Sequence, residues 1–310
     1  MSLDLPALTA AVARHGVVVR IVITRTAGSV PRKAGTAMLV WADGQDGTIG
    51  GGALEFQAVA RARALLARGA AHLAQTLPLG PALGQCCGGS VSLWWDRVTP
   101  DSLPTALPWA RGPHPGAPPA PQIARRLAHW QPGLPPALID GWLIEGAPAL
   151  ARPLWIWGAG HVGRALAGVL APLPDLALTW IDTAPDRFPA ALPAGVTVLV
   201  AADPARAVPR GPQDAHHLIL TYAHDLDLAL CHALLTHGFA GAGLIGSATK
   251  WARFRARLAA LGHAPARISR IACPIGDPAL GRHPQAIALG VAAALLQPGG
   301  LSANRGDRAG

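Results

Sequence analysis

Hydrophobic positions along this chain follow two regimes. In the first third they come as short, β-branched runs split by glycine turns. Residues 17–25 (VVVRIVITR) read as a buried strand, and a turn follows at 27–31. A second strand covers about 36–41, residues 43–47 supply hairpin turn chemistry, and Thr48-Ile49 ends a third short strand at Gly50-Gly51-Gly52. Residues 53–68 (ALEFQAVARARALLAR) are good helix formers closed by Gly69. Further strands are predicted near 72–77 and 90–95. The result is an α+β unit.

From Pro153 onward the pattern alternates strand with helix. Strands are predicted at 154–157, 177–181, 196–201, 217–222 and 243–245, and helices at 161–170, 226–237 and 250–261. That succession predicts a Rossmann-like, doubly wound parallel sheet. A last helix is expected near 284–296. Between the two regimes, prolines crowd residues 112–119, with one helix expected at 122–130. The predicted organisation is therefore an α+β domain over 1–99, a Pro-rich linker over 100–150 and a Rossmann-like domain over 151–272. A C-terminal helical segment over 273–297 and a disordered tail over 298–310 complete it.

Composition narrows the class. Over 310 residues, 51% hydrophobic and 14% charged content describes a globular chain with room for two cores. The N-terminus lacks the charged region and apolar run of a signal peptide, and no stretch approaches ~20 uninterrupted apolar residues. With four unevenly spaced cysteines, this points to the cytoplasm and to no membrane partner. The net charge of +9 suits an anionic ligand. Of 26 cations 24 are Arg, scattered rather than striped, which argues against nucleic acid. The two lysines, Lys33 and Lys250, both fall in glycine-containing motifs.

Half of the thiols form one dipeptide, in Gln85-Cys86-Cys87-Gly88-Gly89. Adjacent cysteines rarely form a disulfide, because the bridge strains the intervening peptide. The pair suggests a soft metal, a sulfur atom or a reactive thiolate; the plain alternative is two small residues near a strand end. Cys231 and Cys273 read as core residues. No C-x-x-C or H-x-x-x-H spacing and no G-x-S-x-G elbow is present.

Gly158-Ala159-Gly160-His161-Val162-Gly163 fits G-x-G-x-x-G, directly after a predicted strand and at the start of a helix. Its helix N-terminus would face a phosphate, and Asp182 lies where a ribose-binding acid usually sits. Gly50, Gly51 and Gly52, with Glu55 in the next helical turn, form a second candidate anion site. Arg32 and Lys33 place two cations on a turn. His224 and Asp225 follow a strand end, either to meet a ligand or to cap a helix. Gly246, Ser247 and Lys250 again combine glycine, hydroxyl and cation at a helix start.

In this order the motifs resemble the XdhC/CoxI family, accessory proteins that mature molybdenum hydroxylases. The resemblance is carried by Pro31-Arg32 through Val40, Gly50–Glu55, the Leu79–Gly89 cysteine loop and Trp155–Gly163. Thr221 with His224-Asp225, Gly243–Ser247 with Lys250, and Cys273–Gly276 also match. It implies a chaperone rather than an enzyme. Such a protein binds the molybdenum cofactor (molybdopterin), a pterin dithiolene with a phosphate, while a cysteine desulfurase supplies the terminal sulfido ligand. It then delivers the cofactor to the molybdenum-binding subunit of xanthine dehydrogenase. Contacts with cofactor-synthesis or nucleotidyltransferase proteins, and a homodimer, fit the same role. Under this resemblance Cys86 and Cys87 would contact molybdenum or sulfur, and the glycine loops with Arg32, Lys33 and Lys250 would hold pterin and phosphate. The chain departs from the family pattern at 182–187, with Thr183 and a spaced Arg187, and in the last helix, which lacks an Ala-Glu pair. The competing reading is an NAD(P)-dependent oxidoreductase using Gly158–Gly163.

Overall fold

A computed structural model describes residues 3–80, 88–113, 118–297 and 300–301. The chain divides into two compact units, 1–150 and 151–310.

The first unit is built on an antiparallel sheet of β1 (Val18–Ala27), β2 (Ala37–Val40), β3 (Gln45–Gly47), β4 (His72–Pro78) and β5 (Ser90–Val98), in the order β3-β2-β1-β5-β4. Helix α1 (Leu5–His15) precedes it and α2 (Gly52–Arg68) follows β3. β1 is buried on both faces from Val18 to Thr24, with Arg20 as the one charge in that run. Val19, Ile21 and Ile23 pack with Leu54, Ala58 and Ala62 of α2, and the Trp95 indole donates to the Ala58 carbonyl at 2.9 Å. On the other face Val22 meets Trp94 and Leu143.

Leu143 comes from the segment expected as a linker. Residues 100–150 instead hold a small sheet, β6 (Trp109–Arg111), β7 (Ala137–Ile139) and β8 (Trp142–Glu145), ordered β6-β8-β7, with helix α3 (Pro121–Ala128). A buried ionic cluster joins the two sheets. Arg20 of β1 donates bidentately to Glu145 of β8 at 2.7 and 2.9 Å. Arg111 of β6 reaches both Glu145 and Asp96, and the Trp94 indole donates to Asp96 at 2.7 Å. Burial opposes ionisation of Glu145, yet Arg20 and Arg111 hold its carboxyl below the usual glutamate range. For Asp96 burial prevails over Arg111, and its pKa is raised. Removing one partner from such a cluster costs about 3–5 kcal/mol, because a buried charge loses its compensation.

The second unit carries the predicted parallel sheet. Strands β9 (Arg152–Trp157), β10 (Leu176–Asp182), β11 (Val196–Val200), β12 (His216–Ile219), β13 (Gly241–Leu244) and β14 (Ile271–Ala272) lie in the order β11-β10-β9-β12-β13-β14. Helices α4 (His161–Leu170), α5 (Pro204–Ala207), α6 (His224–His237), α7 (Ala248–Ala260), α8 (Pro265–Ile268) and α9 (Pro284–Leu296) connect and flank them. β9 alternates faces: Leu154 and Ile156 pack with α4 and α9, while Trp155 and Trp157 pack with α6 and α7. Helix α9, expected as a separate C-terminal segment, is part of this core through Ala288, Val291 and Leu295. Leu301, expected in a disordered tail, is 4% exposed in the same cluster; residues 298–299 and 302–310 lie outside the described residues. No helix among the described residues is long and apolar enough to cross a membrane.

Candidate functional site

Strand order reverses between β9 and β12, so the loops leaving their carboxyl ends diverge and open a crevice. A cavity of about 520 Å³ occupies it. Gly160, His161, Gly163, Asp182, His224, Gly246, Ser247 and Lys250 all line this space, although they come from four separate connections.

The glycine turn is built for close approach. A methyl group at Gly163 would collide with the Gly158 carbonyl, which packs helix against turn, whereas nothing lies within 4 Å of where one would sit on Gly160. That open space lies over the start of α4. The first helical bond there runs from Arg164 N–H to Gly160 C=O at 2.9 Å, so the amides of residues 161–163 have no acceptor within the helix. Asp182 is 6% exposed and holds this turn in place. One carboxylate oxygen accepts from the Ala159 amide at 2.6 Å, and the other accepts from the Thr183 amide at 2.6 Å. The residue expected to hold a ribose thus anchors the loop itself.

Lys250 forms the opposite wall. Its ammonium donates to Asp227 Oδ2 at 2.6 Å and to the Ile245 carbonyl at 3.1 Å. Asp227 in turn accepts from the Thr221 amide at 2.9 Å and hydroxyl at 2.7 Å through Oδ1. An ammonium has three N–H bonds. Two are taken up by these acceptors, and the ammonium also lies 5.3 Å from the centre of the Phe254 ring. Ser247 caps α7 by accepting from the Lys250 amide at 3.1 Å. At the rim the Arg187 guanidinium lies 4.1 Å from the centre of the Tyr222 ring.

Asp225 is not part of this site. Its side chain is 89% exposed and sits 3.4 Å from Arg257; the N-cap of α6 is Ala223. Asp227 takes the place expected for it, and the helical pattern carries the signal. Asp227, Leu228 and Cys231 are all buried on the inward side of α6, which leaves Asp225 outward. Thr221, Tyr222 and Arg187 also join the cavity.

The first unit gathers a different set. Gly50, Gly51 and Gly52 all have positive φ, and the turn they make wraps around Glu55. The Glu55 carboxylate accepts from the Thr48 hydroxyl at 2.5 Å and from the Ile49 and Gly51 amides at 3.1 Å each. The anion served by this glycine turn is the chain's own Glu55. Burial works against ionisation there, but the Thr48 hydroxyl and the amides of Gly51, Ile49 and Gly50 hold the carboxyl below the usual glutamate range. Pro31 packs against Gly50, and Arg32 and Lys33 follow it, both exposed. The ends of the cysteine loop meet nearby. The Leu79 amide donates to the Gly89 carbonyl at 2.8 Å, and Gly89 lies against the backbone of Ala27 and Ser29. Gly88 is exposed; Gln85, Cys86 and Cys87 lie outside the described residues.

The remaining thiols are quiet. Burial pushes Cys231 far above the usual thiol range and Cys273 up to about 11. Among the described residues no three His, Cys, Asp or Glu side chains cluster as a metal site.

Residues 154–295 match the model of the XdhC Rossmann domain, and residues 11–76 match that of the XdhC and CoxI family. Among solved structures, the chain is similar to one described as a xanthine dehydrogenase from Bacillus halodurans. The two are 21% identical over 96% of this chain and 95% of that one, with a TM-score of 0.72. A Rossmann-fold NAD(P)-binding family protein from Shigella flexneri shares 15% identity, over 36% of this chain and 62% of its own, at a TM-score of 0.28. No curated protein matches.

Proposed function

Because the chain belongs to the XdhC and CoxI family, we propose that it is an accessory protein in xanthine dehydrogenase maturation that holds the molybdenum cofactor in its molybdopterin form. In this reading the cofactor is held while a cysteine desulfurase renews its terminal sulfido ligand, and is then passed to the molybdenum-binding subunit. The observation that carries the proposal is the crevice beside Gly160, where unpartnered helix amides, open space and Lys250 line one cavity. That donor set suits the phosphate of a pterin phosphate. A volume of about 520 Å³ lies within the range of small-molecule sites.

The residues divide the work by chemistry. The α4 amides and Lys250 would take the phosphate. Tyr222 with Arg187 offers a flat cationic wall for a heteroaromatic ring. When bound, the cofactor supplies the molybdenum and its exchangeable sulfur. Cys86 and Cys87 are the thiols we assign to molybdenum or its sulfur, as thiolates suit a soft metal. Arg32 and Lys33 follow the turn on which the cysteine loop closes. The engagement of Asp182 by Ala159 and Thr183 favours this reading over a dinucleotide, whose ribose would need that carboxylate.

The test is to purify the protein anaerobically from cells that synthesise the cofactor and to measure molybdenum and pterin per chain. Both should be present in equal amounts. Lys250→Ala should lower pterin retention by about tenfold or more. The double variant Cys86→Ala/Cys87→Ala should fail to activate the dehydrogenase. Absence of molybdenum and pterin from the wild-type protein, or tight NAD(P) binding instead, overturns the proposal.

A further inference from the structure

A second cavity of the Rossmann unit, about 690 Å³, shares no lining residue with the first. It is a groove between α7 and α8 that ends at β14. Its lining is largely apolar, with Trp251, Ile268, Ile271 and Cys273 among the residues that form it. Ala252, Ala256 and Ala259 line it at spacings of four and three residues, so they share one face of α7, and all three are exposed. Small side chains there let another backbone approach closely.

Charge around the groove is one-sided. Residues 251–270, which supply most of the groove, contain Arg253, Arg255, Arg257, Arg267 and Arg270 and no acid. Arg267 and Arg270 each give an arm to a backbone carbonyl, of Leu235 and Phe239, and Arg257 lies near Asp225. Arg255 lines the groove itself.

We propose that this groove docks an amphipathic helix of a partner protein, with its apolar face on Ala252, Ala256 and Trp251 and acidic residues facing Arg255 and its neighbours. An apolar lining with a basic rim is the complement of such a helix. A second copy of this chain fits poorly, because its described helices carry at most two Asp or Glu each. The inference goes beyond cofactor binding and stands on different residues.

The probe is a labelled synthetic helix of about 18 residues, roughly five turns, with Leu at i, i+3, i+4 and i+7 spacing and Glu on both flanks. One twin carries Lys for Glu, and another carries Ser for Leu. Fluorescence anisotropy should show saturable binding of the acidic peptide and binding weaker by about tenfold or more for both twins. Ala256→Glu and Arg255→Glu should each weaken the acidic peptide by about tenfold, with circular dichroism and melting unchanged, because both side chains are exposed. Pterin retention should be unaffected by Ala256→Glu, which separates this test from that of the cofactor site. Equal binding of the Glu and Lys peptides overturns the proposal, as does indifference to Ala256→Glu. Two other outcomes also overturn it. One is a chain dimer abolished by Ala256→Glu, which assigns the groove to a second copy. The other is duplex DNA binding that falls with Arg255→Glu but not with Ala256→Glu, which assigns the rim to a polyanion.

Discussion

Lys250 and Asp227 form an ion pair nearly closed to water, with side chains 12% and 2% exposed. Each also has a second polar partner, so the lysine is held in one position rather than swept through solvent. Asp227→Asn should therefore destabilise the protein by about 3 kcal/mol in urea unfolding, since the ammonium keeps its charge and loses its counterion. The double variant Lys250→Met/Asp227→Asn should recover part of that loss; additive costs would show that the two side chains do not act as a pair. Lys250 stood out in the sequence because the chain otherwise uses Arg. Asp227 did not, because Asp225 sits in the more conspicuous His-Asp dipeptide. Only the helical phase of α6, set by its first residue, separates the buried acid from the exposed one.

At the scale of elements, the glycine turn before α2 shows a motif that was legible in type and misread in purpose. Three glycines ahead of a helix do mark an anion-binding turn, but the anion is a carboxylate four residues on from Gly51. The carboxyl of Glu55 is held below its ordinary pKa, so its stabilising bonds are complete above the ordinary glutamate range. They are lost as pH falls through the lowered value. Comparing wild type with Glu55→Gln in urea should give a difference of the order of 1 kcal/mol at neutral pH, shrinking towards zero as pH falls through the lowered carboxyl pKa. A difference independent of pH would mean that the charge of Glu55 is not what holds the turn. Other elements were silent for a different reason. β6, β7 and β8 are three or four residues long, and two of their buried positions are Arg111 and Glu145. Strands that short, with charges inside, offer no apolar alternation to detect. Helix α1 did leave a signal, in the Asp4 cap and the Leu8–Val12 spacing.

Across the whole molecule, the sequence separates the two units well because their hydrophobic periods differ. The Rossmann unit alternates strand and helix closely enough that its strands were all foreseen except β14, which has only two residues. The first unit extends about fifty residues beyond its expected end, because the Pro-rich stretch adds a layer to its sheet. That layer is attached by the Arg20–Glu145 pair, which spans from β1 to β8. A flap of three short strands would ordinarily open by itself, and its amides would trade hydrogen for deuterium within local fluctuations. Fastened through a buried guanidinium to the central strand, β8 should lack such independent opening. Its Leu143 and Ile144 amides should exchange at the rate of Ile21 and Val22, and Glu145→Gln should uncouple the two rates. Faster exchange of β8 in the wild-type protein would show that the layer opens alone. Coupled in this way, the first unit should unfold as one cooperative element, and a lesion in the small sheet should register in the strand before the Arg32–Lys33 turn.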